Sequence, residues 1–120
     1  MKRLTAAEEQ VMLVLWKKDN AFVKEILAEL PEPKPAYNTV STVVRILEQK
    51  QFVGHKAFGR THRYHPIISQ EEYSKAEMGK MLEDHFEGSA KRMMSFFVEN
   101  RSMSMKELDE IMKLLEQKRK

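Results

Sequence analysis

The first fifty residues carry apolar side chains at the spacing of α-helices. One stripe predicts a helix over residues 5–18, and Thr5 with Glu8 forms the capping box that opens it. A second stripe predicts a helix over residues 22–30. Pro31 ends that helix, since proline lacks a backbone N–H and its ring clashes with the preceding turn. The chain therefore opens with two short helices and a proline-rich connector.

A third helix is predicted over residues 37–51, although it uses residues that form helices poorly. β-Branched residues and serine fill the run from Thr39 to Val44, where alanine or leucine would favour a helix. Its inner face is apolar and is expected to pack on the first two helices: Val40, Val43, Val44 and Leu47. Its outer face carries short polar side chains and one arginine at the same spacing: Asn38, Ser41, Thr42 and Arg45.

The outer face of this helix has the chemistry of a DNA-contacting surface. An ordinary solvated face would carry Glu and Lys, but no acid occurs here before Glu48. Short polar side chains let a helix approach bases and phosphates closely, and arginine pairs with guanine or phosphate. The free N–H groups of the first turn also suit phosphate. The alternative is that Ser and Thr form a small-residue packing face.

A β-hairpin is predicted after the third helix. Residues 52–57 and 62–67 are strand-like and flank a turn at 58–61, and Tyr64 is expected to pack beneath the hairpin. Three helices followed by a basic hairpin predict a winged helix-turn-helix, in which the hairpin is the wing. The basic residues expected near the tip of the wing are Lys56, Arg60 and Arg63.

The remaining residues are predicted to be helical throughout. Ser69 and Ser104 each open a helix with a glutamate three residues later, and Gly88 with Ser89 separates a short apolar helix between them. The fold class is therefore mainly α with a small β-hairpin: a winged helix-turn-helix domain at 1–68 and a helical dimerisation domain at 69–120. The second domain holds more apolar surface than it can bury alone. The expected dimer interface is Tyr73, Leu82, Phe86, Met94, Phe97, Leu108, Ile111 and Leu115.

The charge distribution and the composition limit the classes of partner, site and location that are expected. Residues 34–65 hold six Lys or Arg and one acid in a chain of net charge +3, which favours a polyanionic partner; the alternative is a solvated basic face. The absence of cysteine excludes disulfides, thiol catalysis and thiolate metal sites. No apolar run approaches a membrane span and the N-terminus lacks the features of a signal peptide, so a cytoplasmic location is expected.

Catalytic, metal and cofactor chemistry is not predicted. His55, His62 and His65 lie on neighbouring strands, but no carboxylate or cysteine accompanies them within the hairpin, and contact with phosphate is the favoured interpretation. The methionines of the second domain are interpreted as dimer core rather than as a separate binding surface. No nucleophile elbow, P-loop or glycine-rich phosphate loop is present, so we expect neither an enzyme nor a cofactor.

Four segments resemble the BlaI/MecI/CopY family of bacterial repressors: "LTAAEEQVMLVLW", "VKEILAELP", "YNTVSTVVRILEQKQFV" and "GRTHRYHPIIS". A weaker similarity continues through "FFVENRSMSMKELDEI". The resemblance implies a homodimer that binds inverted-repeat operators and represses transcription. It also implies that the outer face of the third helix reads bases, through Asn38, Thr39, Ser41, Thr42 and Arg45.

The chain departs from the family pattern at three places. Gln51 stands where the family has glycine, so this position either avoids a positive φ or is strained. The absence of cysteine excludes copper sensing by thiolates. The β-lactam-responsive branch is inactivated through a membrane sensor metalloprotease, with cleavage at an Asn-Phe bond. That bond aligns with Phe96-Phe97 here, and Phe96 is expected to be buried.

The sequence is also compatible with two functions other than that of a repressor released by proteolysis. One is a winged-helix regulator that a small-molecule ligand releases from DNA, with a pocket between its domains. The other is a winged helix that binds another protein, for which a mixed or acidic face and an apolar patch on the third helix are expected.

Overall fold

The computed structural model describes the backbone of residues 2–119 and the side chains of residues 2–114. The chain divides into two compact units, Met1–Ala76 and Glu77–Lys120. The first unit contains three helices and a three-stranded antiparallel sheet, and the second is helical. The predicted fold class, a winged helix-turn-helix followed by a helical part, is confirmed.

The first unit has the element order of a winged helix. Its elements are α1 (Ala6–Lys18), β1 (Ala21–Phe22), α2 (Val23–Glu29), α3 (Tyr37–Gln49), β2 (Val53–Phe58) and β3 (Thr61–Pro66). The strands β2 and β3 form the predicted hairpin, which we call the wing. The sheet has a third strand that the sequence did not indicate, since β1 pairs with β3 through Ala21 and Tyr64 and through Phe22 and Arg63. A strand of two residues is too short to show an alternating pattern.

The predicted inner face of α3 lies at the centre of the core. Val40, Val44 and Leu47 are buried, and Val43 is half-buried against them. Both α1 and α2 contact α3, which is the arrangement that the apolar stripes predicted. Burying each such side chain contributes about 1.5–3 kcal/mol. The β-branched residues of α3 are therefore explained on this face by packing. The largest other fully buried side chains are Met12, Leu15, Ile26, Phe52 and Val53.

The capping box of α1 also contributes to the core. The backbone N–H of Thr5 donates to Glu8 Oε1 at 2.7 Å, and the N–H of Glu8 donates to Thr5 Oγ1 at 3.2 Å. Glu8 is only 3% exposed, and Lys50 Nζ lies 2.8 Å from its Oε1. Burial alone would raise the pKa of Glu8, but the hydrogen bonds from Lys50 and Thr5 and the charge of Lys50 together lower it. The carboxylate therefore joins α1 to the end of α3.

Of the two alternatives expected for Gln51, the backbone has the strained one, a positive φ. Its φ is 66°, in the left-handed region that favours glycine. Its N–H donates to the Glu48 carbonyl at 3.0 Å, and the next residue, Phe52, donates to the Leu47 carbonyl at 2.9 Å. These bonds end α3 and turn the chain into β2. Gln51 therefore has a backbone conformation typical of glycine, although it carries a side chain.

The helix α4 (Gln70–Phe86) begins as part of the first unit. Tyr73 is 7% exposed, with its ring 5.5 Å from that of Trp16 and 6.1 Å from that of Phe52. Its hydroxyl donates to Glu9 Oε2 at 2.8 Å, and Trp16 Nε1 donates to the Ile68 carbonyl at 2.9 Å. The dimer-interface prediction therefore needs correction at Tyr73, because this side chain is part of the core of the first unit.

The second unit contains the rest of α4 with α5 (Ala90–Glu99) and α6 (Met105–Arg119). Its predicted breaks and caps are confirmed: Gly88 has φ 74°, and Ser89 Oγ accepts from the N–H of Arg92 at 3.1 Å. Ser104 and Glu107 form the box before α6. Six of the residues predicted for the dimer interface are half-buried within one chain: Leu82, Phe86, Met94, Phe97, Leu108 and Ile111. The side chain of Leu115 lies outside the described residues.

Phe96 was expected to be buried, but it is exposed. It is 48% exposed in the single chain, although its ring contacts those of Phe86 and Phe97, at centroid distances of 5.6 and 6.2 Å. It faces outward because α5 turns its apolar stripe inward mainly through Met93, which is 7% exposed. Among the described residues, no helix is long and apolar enough to cross a membrane.

Candidate nucleic-acid interface

The predicted outer face of α3 lies at the surface of the first unit. Asn38, Thr42 and Arg45 are exposed, and Ser41 is half-buried. Thr42 Oγ1 donates to the Asn38 carbonyl at 2.9 Å, and Arg45 Nη2 donates to Ser41 Oγ at 3.2 Å. These bonds hold the hydroxyls and the guanidinium in a row along the helix. Thr39, also predicted to read bases, is exposed one position beyond Asn38.

A cleft of about 670 Å³ separates α3 from the wing. Its walls come from three parts of the first unit. The α3 wall is Tyr37, Asn38, Ser41 and Arg45; the wing wall is Arg60, Thr61, His62 and Tyr64; the third wall is Phe22, Val23, Lys24 and Glu25. Three of the residues predicted to read bases therefore share one cavity with Arg60 of the wing. The sequence did not indicate Tyr37, and it did not distinguish His62 from His55 and His65 as a residue near phosphate, because these positions depend on how the wing packs beside α3.

Only part of the basic segment is free to meet an anion. Lys34 Nζ donates to the carbonyls of Leu27, Ala28 and Leu30 at 3.2, 2.9 and 2.8 Å, so this cation caps the C-terminal end of α2. Lys50 pairs with the buried Glu8. Two of the six basic residues thus have structural roles that the charge count could not reveal. The remaining four are Arg45, Lys56, Arg60 and Arg63.

Of the three basic residues predicted near the tip of the wing, only Arg60 lies there. Gly59, with φ 62°, and Arg60 form the tip. Lys56 and Arg63 are paired with each other further along the strands, and Arg63 also pairs with Phe22 of β1. Its guanidinium carbon lies 5.2 Å from the centroid of the Phe22 ring, a cation–π distance, and the side chain is half-buried.

The two faces of the wing differ in chemistry. Since side chains alternate along a strand, Lys56 and Arg63 lie on one face, and His62 and Tyr64 lie on the face toward α3. Tyr64 is 5% exposed, which confirms that it packs beneath the wing. Burial, followed by the negative charge of Glu48, raises the pKa of its hydroxyl. Tyr64 therefore remains neutral in the floor of the cleft.

A contact between α3 and the wing brings a carboxylate to the histidines. Glu48 Oε2 lies 2.5 Å from Nδ1 of His55, and the His55 and His62 rings stack with centroids 4.1 Å apart. The sequence did not indicate this contact, because Glu48 belongs to the helix rather than to the hairpin. Within the described part of the chain, no group of three or more His, Asp or Glu side chains is arranged to hold a metal ion.

A helix-turn-helix followed by a basic wing, with a polar face on the third helix that carries no carboxylate before Glu48, is the architecture of winged-helix DNA-binding proteins. Within that class the chain belongs to the penicillinase repressor family, whose family model matches residues 4–117. This is a family of bacterial DNA-binding transcriptional repressors rather than of enzymes.

Individual relatives agree with that assignment. The chain is 28% identical over 116 residues to the penicillinase repressor of Bacillus licheniformis, covering 96% of this chain and 91% of the relative. It is 22% identical to the methicillin resistance regulatory protein MecI of Staphylococcus aureus (strain N315), covering 96% and 94%. The solved DNA-binding domain of the repressor BlaI is 30% identical, with a TM-score of 0.52, over 61% of this chain and 94% of that domain.

Proposed function

We propose that this chain is a homodimeric repressor that binds an inverted-repeat operator in the bacterial cytoplasm and blocks transcription. The outer face of α3 carries the proposal: Asn38, Ser41 and Arg45 open onto the same cleft as the wing, and α3 has no carboxylate before Glu48. A surface with this chemistry accepts a polyanion without repelling it. Two such faces related by a two-fold axis would meet half-sites about one DNA turn, or a multiple of it, apart.

The helix α3 enters the major groove and reads bases. Asn38 and Arg45 are the side chains best suited to paired hydrogen bonds with adenine and guanine, respectively. Thr39, Ser41 and Thr42 supply shorter contacts to bases or phosphates. The bond from Arg45 to Ser41 supports this role, because it holds the guanidinium over the outer face before DNA arrives.

The wing contributes phosphate contacts. Arg60 at the tip reaches the backbone on the α3 side, and Lys56 and Arg63 reach it from the opposite face of the hairpin. With Arg45, residues 34–65 of each chain offer four cations that neither cap a helix nor pair with a buried carboxylate. A dimer with about 6–10 phosphate contacts should lose about 10³–10⁵ in affinity between about 50 and about 200 mM salt.

The second unit holds the dimer together. A groove of about 620 Å³ runs between α5 and α6, and its apolar lining includes Met94, Val98, Leu108 and Ile111. Phe96, Met105, Met112 and Leu114 are also exposed in the single chain, at 48%, 66%, 52% and 57%. Exposed apolar surface of this kind marks an association site. A second copy of the chain is the partner that family membership favours.

Repression ends, in this proposal, when a membrane sensor metalloprotease triggers cleavage of the Phe96-Phe97 bond. The bond lies inside α5 (Ala90–Glu99), between the seventh and eighth residues of the helix, so the protease must unwind that helix to reach it. Exposure of Phe96 supports recognition of this segment by a protease. Cleavage would separate α6 from the rest of the chain and leave the two DNA-binding units without a common anchor.

Footprinting of the DNA upstream of the gene that encodes this protein, with the protein bound, tests the proposal. The expected result is a protected inverted repeat whose protection disappears as salt is raised. Mass spectrometry after exposure to an inducer then identifies the switch. A new end between Phe96 and Phe97 supports proteolysis, whereas intact protein released from DNA indicates a small-molecule ligand. Absence of any protected DNA would favour a protein-binding winged helix instead.

A further inference from the structure

Three polar side chains link the end of α3 to both strands of the wing. Glu48, in the last turn of α3, contacts Nδ1 of His55 on β2 at 2.5 Å. The ring of His55 stacks on that of His62 on β3, with centroids 4.1 Å apart and an angle of 7° between their planes. His55 is paired with Tyr64, so His62 is its diagonal neighbour, a position within reach of aromatic side chains. Glu48 thus fixes His55, and His55 supports His62.

The position of His62 distinguishes it from the other histidines of the wing. His62 lines the cleft with Ser41 and Arg45. His65 lies on the opposite face of the hairpin, where it pairs with Gly54. An imidazole in the cleft is close to the cations that are proposed to meet the phosphates. The wing therefore presents one histidine to the proposed DNA site and holds another histidine away from it.

The two stacked rings face different surroundings. Nδ1 of His55 faces the carboxylate of Glu48, whereas His62 lines the cleft, where a phosphate would bring a negative charge to its imidazole. The other titratable or charged groups that face the pair or line this cleft are Tyr37 and Arg45 of α3, Arg60 and Tyr64 of the wing, and Lys24 and Glu25 of α2.

We propose that His62 binds a DNA phosphate in its protonated form, and that His55 and Glu48 are the positioning residues that hold it there. This rests on the proposed function, because the phosphate comes from the operator backbone. The imidazolium supplies an N–H donor and a charge that assists the hydrogen bond. DNA binding is therefore coupled to the uptake of a proton by each wing.

The sign of the pH effect follows from which form the phosphate stabilises. The DNA complex favours imidazolium over imidazole, so the complex holds more protons than the free protein does. The added affinity is complete where the imidazole is protonated in the free protein as well as in the complex, and it is lost as the pH rises through the higher range in which the bound form gives up its proton. Affinity for DNA should increase as the pH falls.

Fluorescence anisotropy of the full chain with a labelled, mixed-sequence DNA duplex measures this at constant ionic strength. The wild-type chain should bind more tightly at about pH 6 than at about pH 8, by roughly three- to tenfold for each wing that contacts the duplex. His62→Gln should abolish this ratio. The matched control His65→Gln alters the other face of the same hairpin and should preserve it. Circular dichroism establishes that each variant is folded.

The positioning role of Glu48 has its own test. Glu48→Ala removes the acceptor that holds His55, so the ratio of affinities at the two pH values should fall toward that of His62→Gln. Glu48→Gln keeps an acceptor oxygen and should retain most of the ratio. Both variants remove a negative charge and should raise affinity at every pH, which is why the ratio is the readout. Equal ratios in Glu48→Ala and Glu48→Gln would overturn the positioning role.

Two further outcomes separate this inference from the function on which it rests. Wild-type chain that binds DNA with a steep salt dependence but equally at both pH values would overturn the role of His62 and leave the repressor function intact. Chain that binds no DNA would overturn both. An NMR titration of the histidine C–H signals gives an independent check. The His62 midpoint should move to higher pH when the duplex is added, and an unchanged midpoint would contradict the proposal.

Discussion

Replacing Lys50 by alanine leaves the buried Glu8 carboxylate without its cationic partner. Lys50 Nζ lies 2.8 Å from Glu8 Oε1 and 3.2 Å from the Arg3 carbonyl. Breaking a fully buried ion pair costs about 3–5 kcal/mol. Here the side-chain exposure is 22% for Lys50 and 4% for Glu8, and the bonds from Thr5 remain, so we expect about 2–3 kcal/mol. Such a loss is large for a domain that is stable by about 5–15 kcal/mol.

Denaturant unfolding followed by Trp16 fluorescence measures this loss, since Trp16 is the single tryptophan of the chain and lies in α1. The pKa of Glu8 is lowered in the folded state, so its stabilising contribution is present above its ordinary value, 4.5, and is lost as the pH falls through the lower folded value. The cost of Lys50→Ala should therefore be complete near neutral pH and shrink in acid.

Two variants control for non-specific damage. Lys18→Ala removes a surface pair with Glu29, at 3.7 Å and with side-chain exposures of 33% and 43%, and should cost about 0–1 kcal/mol. Adding Glu8→Gln to Lys50→Ala removes the buried charge and should restore much of the loss. Equal losses for Lys18→Ala and Lys50→Ala, or no restoration by Glu8→Gln, would refute the reasoning.

Three further predictions concern the domain boundary, the strained turn and the dimer. The fragment 1–76 should melt at a higher temperature than 1–68, which lacks Tyr73 and should lose about 3–5 kcal/mol because that ring packs on the core. Gln51→Gly should raise the free energy of unfolding by up to about 1 kcal/mol by relieving the positive φ, and a decrease in denaturant midpoint would contradict this. Ile111→Asp should make the full chain monomeric in sedimentation, whereas Lys106→Asp, at an exposed position, should leave it dimeric.

Local patterns accounted for most of the elements of this fold. The stripe of Val40, Val44 and Leu47 has the period of a helix, and no other arrangement buries all three on one side. The capping boxes at Thr5, Ser69 and Ser104 depend on residues only three positions apart, so they could be identified without tertiary information. The polar face of α3 could also be identified from the sequence, because its residues recur at helical spacing within eight positions.

Contacts between distant parts of the chain were not predictable in this way. The exposed fraction of Tyr73 depends on Trp16, which lies far away in sequence, so an aromatic ring of the core was assigned to the dimer interface. The pairing of β1 with β3 and the contact of Glu48 with His55 likewise appear only when the wing packs against the helices. The capping role of Lys34 was hidden because a count of charges does not show which carbonyls a cation meets.

The most direct test of the central claim is the affinity of Arg45→Ala for the footprinted operator, compared with its affinity for mixed-sequence DNA. The outer face of α3 is proposed to read bases, and Arg45 is its only charged side chain before Glu48. Arg45→Ala should lose about 1–3 kcal/mol on the operator and relax specificity at one position of each half-site, whereas the control Arg92→Ala, on an exposed part of α5, should bind like the wild type. Wild-type affinity and selectivity in Arg45→Ala would contradict the account.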